Sequence, residues 1–123
     1  MIIFEIDALP KLPNKLLGAH WRVRSSHARE WATRTWAATC KQRPREPWKT
    51  VRLILERHSS SQPDHDGLVG SFKSVCDALV KCGIIEDDTP AHILSAEYLW
   101  IKAPAKRGKI RVQVFEINGN NPV

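Results

Sequence analysis

The stretch QPDHDGLVGSFKSVCDALVKCGIIEDD, residues 62–88, decides the fold and the chemistry that we predict for this chain. Its apolar residues recur at spacings of four, three and four positions: Leu68, Phe72, Val75 and Leu79. That spacing predicts a helix with one apolar face against a sheet, ending at Gly83. Four aspartates stand near the two ends of this helix: Asp64, Asp66, Asp87 and Asp88. Because crowded carboxylates repel one another, we expect a cation or hydrogen-bond donors to offset them.

Alternating apolar and polar residues before this window predict two strands with a helix between them. The period of two in residues 2–7 predicts a first strand, and residues 50–57 show the same period. Residues 27–42 are predicted to form a helix that follows a serine N-cap and stops before Pro44. Residues 11–26 carry Pro, Asn and Gly without a clear period, so we expect a long loop there.

Two further alternating runs follow the window. Residues 92–101 and 109–117 are joined by the basic turn KAPAKRG at 102–108, a pattern that predicts an antiparallel hairpin. The resulting order of elements is β-α-β-α-β-β. We therefore predict an α+β fold in a single domain over residues 1–123, with a mixed sheet and helices packed on it.

The composition narrows the class of protein. The chain has 123 residues, 42% apolar and 26% charged, which suits one compact domain. No run approaches the ~18 apolar residues of a membrane span, and the start MIIFEIDALP lacks the basic region of a signal peptide. Cys40, Cys76 and Cys82 show no paired spacing, which argues against a disulfide framework or a structural zinc site. We expect a cytoplasmic protein, of a bacterial or phage-infected cell, that does not bind membranes.

Charge is distributed unevenly along the chain, whose formal net charge is +6. Basic residues are dense between Lys11 and Arg57 and again between Lys102 and Arg111, on either side of the acidic window. Lysine and arginine bind a polyanion by displacing its counterions, and carboxylates between them can hold a metal ion. This arrangement favours a nucleic-acid partner, with a mildly basic, solvated protein as the open alternative.

The acidic window places charged groups on one face of the predicted helix. At about 100° per residue, Asp66, Lys73 and Asp77 lie within about 40° of one another, opposite the apolar stripe. We expect the chain beyond the helix to fold back and bring Asp87 and Asp88 to them. Carboxylates with a lysine nearby form the hard-oxygen environment that Mg²⁺ prefers, whereas zinc would require His or Cys.

Each of these groups also has an ordinary structural interpretation. Asp66 could serve only as a helix N-cap. Lys73 and Asp77, four residues apart, could form only a surface ion pair. Asp87 and Asp88 could lie in a solvated turn. Residue types and spacing alone leave both interpretations open.

One motif spans the acidic window, and its parts are the D-x-D pair Asp64 and Asp66, Lys73, the DAL of residues 77–79 and the GIIEDD of residues 83–88. It resembles the signature of the RusA-type Holliday junction resolvases, small endodeoxyribonucleases of bacteria and their phages. The predicted order of elements also resembles that family, so the likeness covers nearly the whole chain. Only the acidic window is specific.

The resemblance implies a fold, an activity and roles for named residues. It implies a RusA-like homodimer that binds four-way DNA junctions and resolves them by paired nicks during recombination and repair. The implied cofactor is Mg²⁺, with Mn²⁺ as a substitute. The implied metal ligands, which are also catalytic, are Asp64, Asp66 and Asp88. Lys73 is implied as the essential cation, with Asp77 and Asp87 in support.

Contacts with DNA are predicted from the loops and their charge. The stretch LPNKLLGAHWR, residues 12–22, resembles the basic N-terminal loop of the same family. The expected DNA-binding residues are Asn14, Lys15, Trp21, Arg22, Arg24, Lys106 and Arg107. The chain departs from the family form at Gly67, where Asn is usual, and in three extra residues between Asp66 and Lys73.

Two other functions are compatible with the same observations. One is a basic DNA-binding or regulatory protein that keeps the fold without catalysis. The other is a nuclease for other branched DNA, such as flaps, forks or D-loops. Carboxylates that share one metal ion would distinguish a nuclease from a DNA-binding protein without catalysis. A nuclease for other branched DNA differs from a junction resolvase only in the shape of its preferred substrate.

Overall fold

A computed structural model describes residues 1–117 and shows a small α+β fold with a four-stranded mixed sheet. The strands are β1 (Ile2–Ile6), β2 (Val51–Ser59), β3 (Ile93–Lys102) and β4 (Lys109–Glu116). The helices are α1 (Pro13–Leu16), α2 (Trp21–Thr39), α3 (His65–Ser71) and α4 (Lys73–Lys81). Within residues 1–117, none of the helices is both long and apolar enough to cross a bilayer.

The sheet has the order β1-β4-β2-β3, which contradicts the predicted hairpin. Strands β3 and β4 do not pair with each other, because β2 lies between them, parallel to β3 and antiparallel to β4. Leu55 shows the arrangement, since it is opposite Tyr98 on one side and Val112 on the other. Alternation identified both strands but not their partners. The most buried strand, β2, lies inside the sheet, and the turn after β3 passes over the end of β2.

The core lies between one face of the sheet and the helices. Its fully buried sheet residues include Val51, Leu53 and Leu55 of β2 and Ile110, Val112 and Val114 of β4. The predicted helical stripe is confirmed, because Leu68, Phe72, Val75 and Leu79 all belong to this core. Apolar burial of this kind contributes about 25 cal/mol per Å² of surface removed from water.

The first long helix begins earlier than predicted. Helix α2 starts at Trp21, where the Nδ1 atom of His20 accepts a hydrogen bond from the backbone N–H of Arg22, so the predicted loop over residues 11–26 is partly helical. The buried face of α2 is formed by His27, Trp31, Thr35 and Thr39. Residues 21–26 are all exposed, so no buried apolar face marks the first turns of α2 in the sequence.

The predicted single helix of the acidic window is two helices, α3 and α4. Phe72 lies at their junction with φ −88° and ψ 0°, outside helical geometry, and its fully buried ring lies 6.1 Å from that of Tyr98. Helix α4 ends as predicted, with Gly83 at φ 76° just beyond it. Because of the break, Asp66 is on α3, whereas Lys73 and Asp77 are on α4.

Candidate active site

Lys73, the first residue of α4, is the centre of a charged cluster. Its Nζ atom donates hydrogen bonds to Asp88 Oδ2 at 2.9 Å and to Asp77 Oδ1 at 3.1 Å. Asp77 is one turn further along α4, and Asp88 comes from the loop that follows the helix. The expected return of that loop towards the helix is therefore confirmed for Asp88. The ion pair considered for Lys73 and Asp77 is also present.

Hydrogen bonds within this cluster stabilise the charged forms of Lys73 and Asp88. The bond to Asp88, and then the one to Asp77, raises the pKa of Lys73 above its ordinary value. The bond from Lys73 is the main cause that lowers the pKa of Asp88, while burial opposes that change. The backbone N–H of Asp88 also donates to Asp87 Oδ1 at 2.8 Å. At neutral pH, Lys73 is therefore a cation bonded to the ionised carboxylate of Asp88.

Asp64 and Asp66 line a second cleft, at the start of α3. The N-cap role considered for Asp66 belongs to Asp64, whose Oδ1 atom accepts a hydrogen bond from the backbone N–H of Gly67 at 2.8 Å. A Cβ atom at position 67 would lie 2.5 Å from that oxygen, so glycine allows this close cap. The cleft has a volume of about 430 Å³ and is lined by Leu12, Pro13, Asn14, Pro63, Asp64, Asp66 and Gly67.

A larger cleft, with Lys73 and Asp88 in its wall, lies on the other side of Pro13. Its volume is about 540 Å³, and its lining is mostly apolar: Pro13, Val69, Gly70, Phe72, Lys73, Cys76, Asp88, Pro90, Ile93 and Tyr98. Pro13 belongs to the walls of both clefts. Helix α1 approaches α3 so closely that a Cβ atom on Gly70 would lie 2.4 Å from Pro13 Cγ. The two carboxylate-bearing clefts are therefore neighbours that share one wall.

The carboxylate oxygens of the two clefts are of the type that a hard cation binds, but three such side chains do not converge in the described part of the chain. Within residues 1–117, no group of three or more His, Cys, Asp or Glu side chains is arranged to hold a metal ion. Mg²⁺ in proteins usually keeps several waters and binds one or two carboxylates together with substrate phosphates. Asp64 and Asp66 meet that requirement in type, whereas Asp88 is hydrogen-bonded to Lys73. The set of three carboxylates stays a prediction.

The residues predicted to bind DNA occupy three places. Asn14 lines the cleft that holds Asp64, and Lys15 lies beside it in α1. Trp21 and Arg22 begin α2, where the guanidinium lies 5.4 Å from the indole centroid and the Trp21 side chain stays 59% exposed. Arg24 is exposed on the same turn of α2. Lys106 and Arg107 lie in the turn between β3 and β4.

Two residues that line the larger cleft, Cys76 and Tyr98, were not predicted from the sequence to belong to the site. Burial, together with the charges of Asp88 and Asp77, raises the pKa of Cys76 to about 12, so it is a neutral thiol. Burial also raises the pKa of Tyr98. Cys76 could have been found, because it lies four residues after Phe72 on the apolar side of the helix. Tyr98 could not, because its position depends on the partner of β3.

Comparison with known proteins gave no identification. No model of a protein family matches the sequence, and a search of curated protein sequences found no significant match. The resemblance to RusA-type resolvases therefore stays a prediction from the residues of the acidic window. Any assignment of function depends on the geometry of the two clefts and on the distribution of charge.

Proposed function

We propose that this protein is a Mg²⁺-dependent endonuclease that cuts branched DNA, above all four-way junctions, as a RusA-like homodimer. The observation that carries the proposal is the cluster of Lys73 with Asp88 and Asp77, next to the cleft of Asp64 and Asp66. Carboxylates brought close together repel one another unless a cation offsets their charge, and a cation bound there would attract a phosphodiester. The motif in the sequence supports the same function.

Each residue of the two clefts has a role in this proposal. Asp64 and Asp66 would hold Mg²⁺, which would supply positive charge to offset the negative charge that develops on the attacked phosphate. Lys73 adds a second cation on the other side of Pro13, and its raised pKa keeps it protonated. Asp88 and Asp77 hold the Lys73 ammonium in place, with Asp87 bonded to the backbone of Asp88.

The basic surface and the dimer account for the choice of substrate. Lysine and arginine side chains bind the DNA backbone without reading its sequence, so substrate shape decides where the protein binds. A twofold dimer presents two equivalent clefts, which suits two equivalent strands of a four-way junction. Flaps, forks and D-loops require the same chemistry and differ only in shape.

One observation favours a second function, a DNA-binding protein without catalysis. The Lys73 ammonium is bound to Asp88 Oδ2, and no three carboxylates converge in the part of the chain that the structure describes. In a protein without catalysis this ion pair would be structural. Loss of nicking activity on substitution of the aspartates would exclude this function.

The test is a comparison of Asp66→Asn with the parent protein on four-way junction, fork and linear duplex. We expect the parent to nick the junction only with Mg²⁺ or Mn²⁺, and the variant to bind the junction but not to nick it. Glu46→Gln, an exposed change in the loop before β2, is the matched control and should nick normally. Nicking by Asp66→Asn at the parent rate would refute the assignment.

A further inference from the structure

The turn between β3 and β4 forms a basic cleft that is separate from the two clefts above. Its volume is about 570 Å³, and it is lined by Asp7, Ala103, Pro104, Lys106, Arg107, Gly108 and Lys109. The turn is held by a hydrogen bond from the backbone N–H of Arg107 to the carbonyl oxygen of Pro104 at 2.9 Å. The lining therefore combines three cations with one carboxylate.

Two of the cations are available to a ligand. Lys109 Nζ is 3.1 Å from Glu5 Oε1, and this ion pair uses its charge within the protein. Among the residues that the structure describes, Lys106 and Arg107 form no ion pair. Guanidinium and ammonium groups together in one cleft are suited to a phosphate group.

This cleft lies at the same end of the sheet as Asp64. The backbone N–H of Ala103 donates to the carbonyl oxygen of Ser59 at 2.9 Å, and Lys102 Nζ donates to that of Ser60 at 2.6 Å. Asp64 follows Ser60 by four positions, so their Cα atoms are at most about 14 Å apart. The turn and the Asp64 cleft therefore lie near the same end of β2.

We propose that Lys106 and Arg107 bind a backbone phosphate of the DNA strand that enters the Asp64 cleft, at a position outside that cleft. The identity of that strand as a substrate rests on the proposed function, whereas the phosphate chemistry of the cleft does not. The carboxylate of Asp7 opposes binding. Removing it should therefore strengthen the contact that loss of the two cations weakens.

The test measures binding to a synthetic four-way junction by fluorescence anisotropy in EDTA, between 50 and 200 mM salt. A phosphate contact contributes about 0.9 to the slope of log K against log salt. The double variant Lys106→Ala with Arg107→Ala should lower the magnitude of the slope by about 0.9, so that its affinity falls about 3.5-fold less than that of the parent across this salt range. Asp7→Asn should bind more tightly than the parent.

The matched control is the double variant Lys41→Ala with Arg45→Ala. It removes the same charge from exposed positions at the other end of the sheet, where Gln42 Nε2 bonds to the carbonyl oxygen of Ile3 at 3.0 Å. The control should keep the parent slope. Equal slopes for the two double variants, or parent slope in the Lys106 and Arg107 variant, would overturn the proposal.

Nicking separates failure of this inference from failure of the proposed function. If the variants show the expected slopes but the parent protein does not nick DNA with Mg²⁺, the phosphate cleft is supported and the nuclease is refuted. Protein that nicks, with both double variants equal in slope, would refute the cleft and leave the nuclease in place. Circular dichroism of each variant confirms that it is folded.

Discussion

Replacing Lys73 with Gln separates a catalytic role from a structural one. The Lys73 side chain is 70% exposed, although it bonds to two carboxylates. Exposed ion pairs typically contribute about 0.2–1 kcal/mol each, so loss of two pairs should lower the free energy of unfolding by about 0.4–2 kcal/mol. Loss of one preorganised group that stabilises transition-state charge typically costs about 10²–10³ in rate. Activity should therefore fall far more than stability.

The assay pairs single-turnover nicking of a four-way junction with urea denaturation of the same samples. Arg34→Gln is the control, because Arg34 forms an exposed ion pair four residues from Glu30, at 2.8 Å, on α2. It should lose a similar, small amount of stability and keep the parent rate. Parent-like nicking by Lys73→Gln, or unfolding of this variant, would contradict the role that we assign to Lys73.

Two further predictions concern pH and core packing. Because Lys73 lowers the pKa of Asp88, the pair should stabilise the fold above pH 3.8, and this stability should be lost as the pH falls through the lower pKa of the folded state. An NMR titration of the Asp88 carboxyl carbon should give a midpoint below 3.8. In the Lys73→Gln variant the midpoint should return towards 3.8. Leu79→Ala, at a fully buried position, should lower the free energy of unfolding by about 2–5 kcal/mol in urea denaturation, and a loss below about 1 kcal/mol would contradict the packing described for α4.

Local patterns predicted the parts of this fold that depend on neighbours along the chain. The stripe from Leu68 to Leu79 is buried as its spacing indicated, and the bonded pair of Lys73 and Asp77 follows from a separation of four residues. These contacts lie within one or two helical turns, where period and spacing decide which side chains meet. The same reasoning identified all four strands.

Contacts between distant parts of the chain were the ones that sequence patterns could not supply. Alternation identified β3 as a strand, but a parallel partner such as β2 leaves no mark in that pattern. The helix break at Phe72 depends on how its ring packs against Tyr98, which belongs to β3. That break removed Asp66 from the helix that carries Lys73, so the site differs most from prediction where it depends on tertiary packing.

The wall between the two carboxylate-bearing clefts is formed by an apolar contact. Pro13 forms part of the wall of each cleft, and the backbone of Gly70 lies so close to its ring that the space cannot hold even a methyl group. A larger residue at position 70 would push α1 away from α3 and displace the wall that the two clefts share, without altering any charge. In the proposed function the aspartates supply the chemistry, and the packing of a proline on a glycine shapes the wall between their clefts.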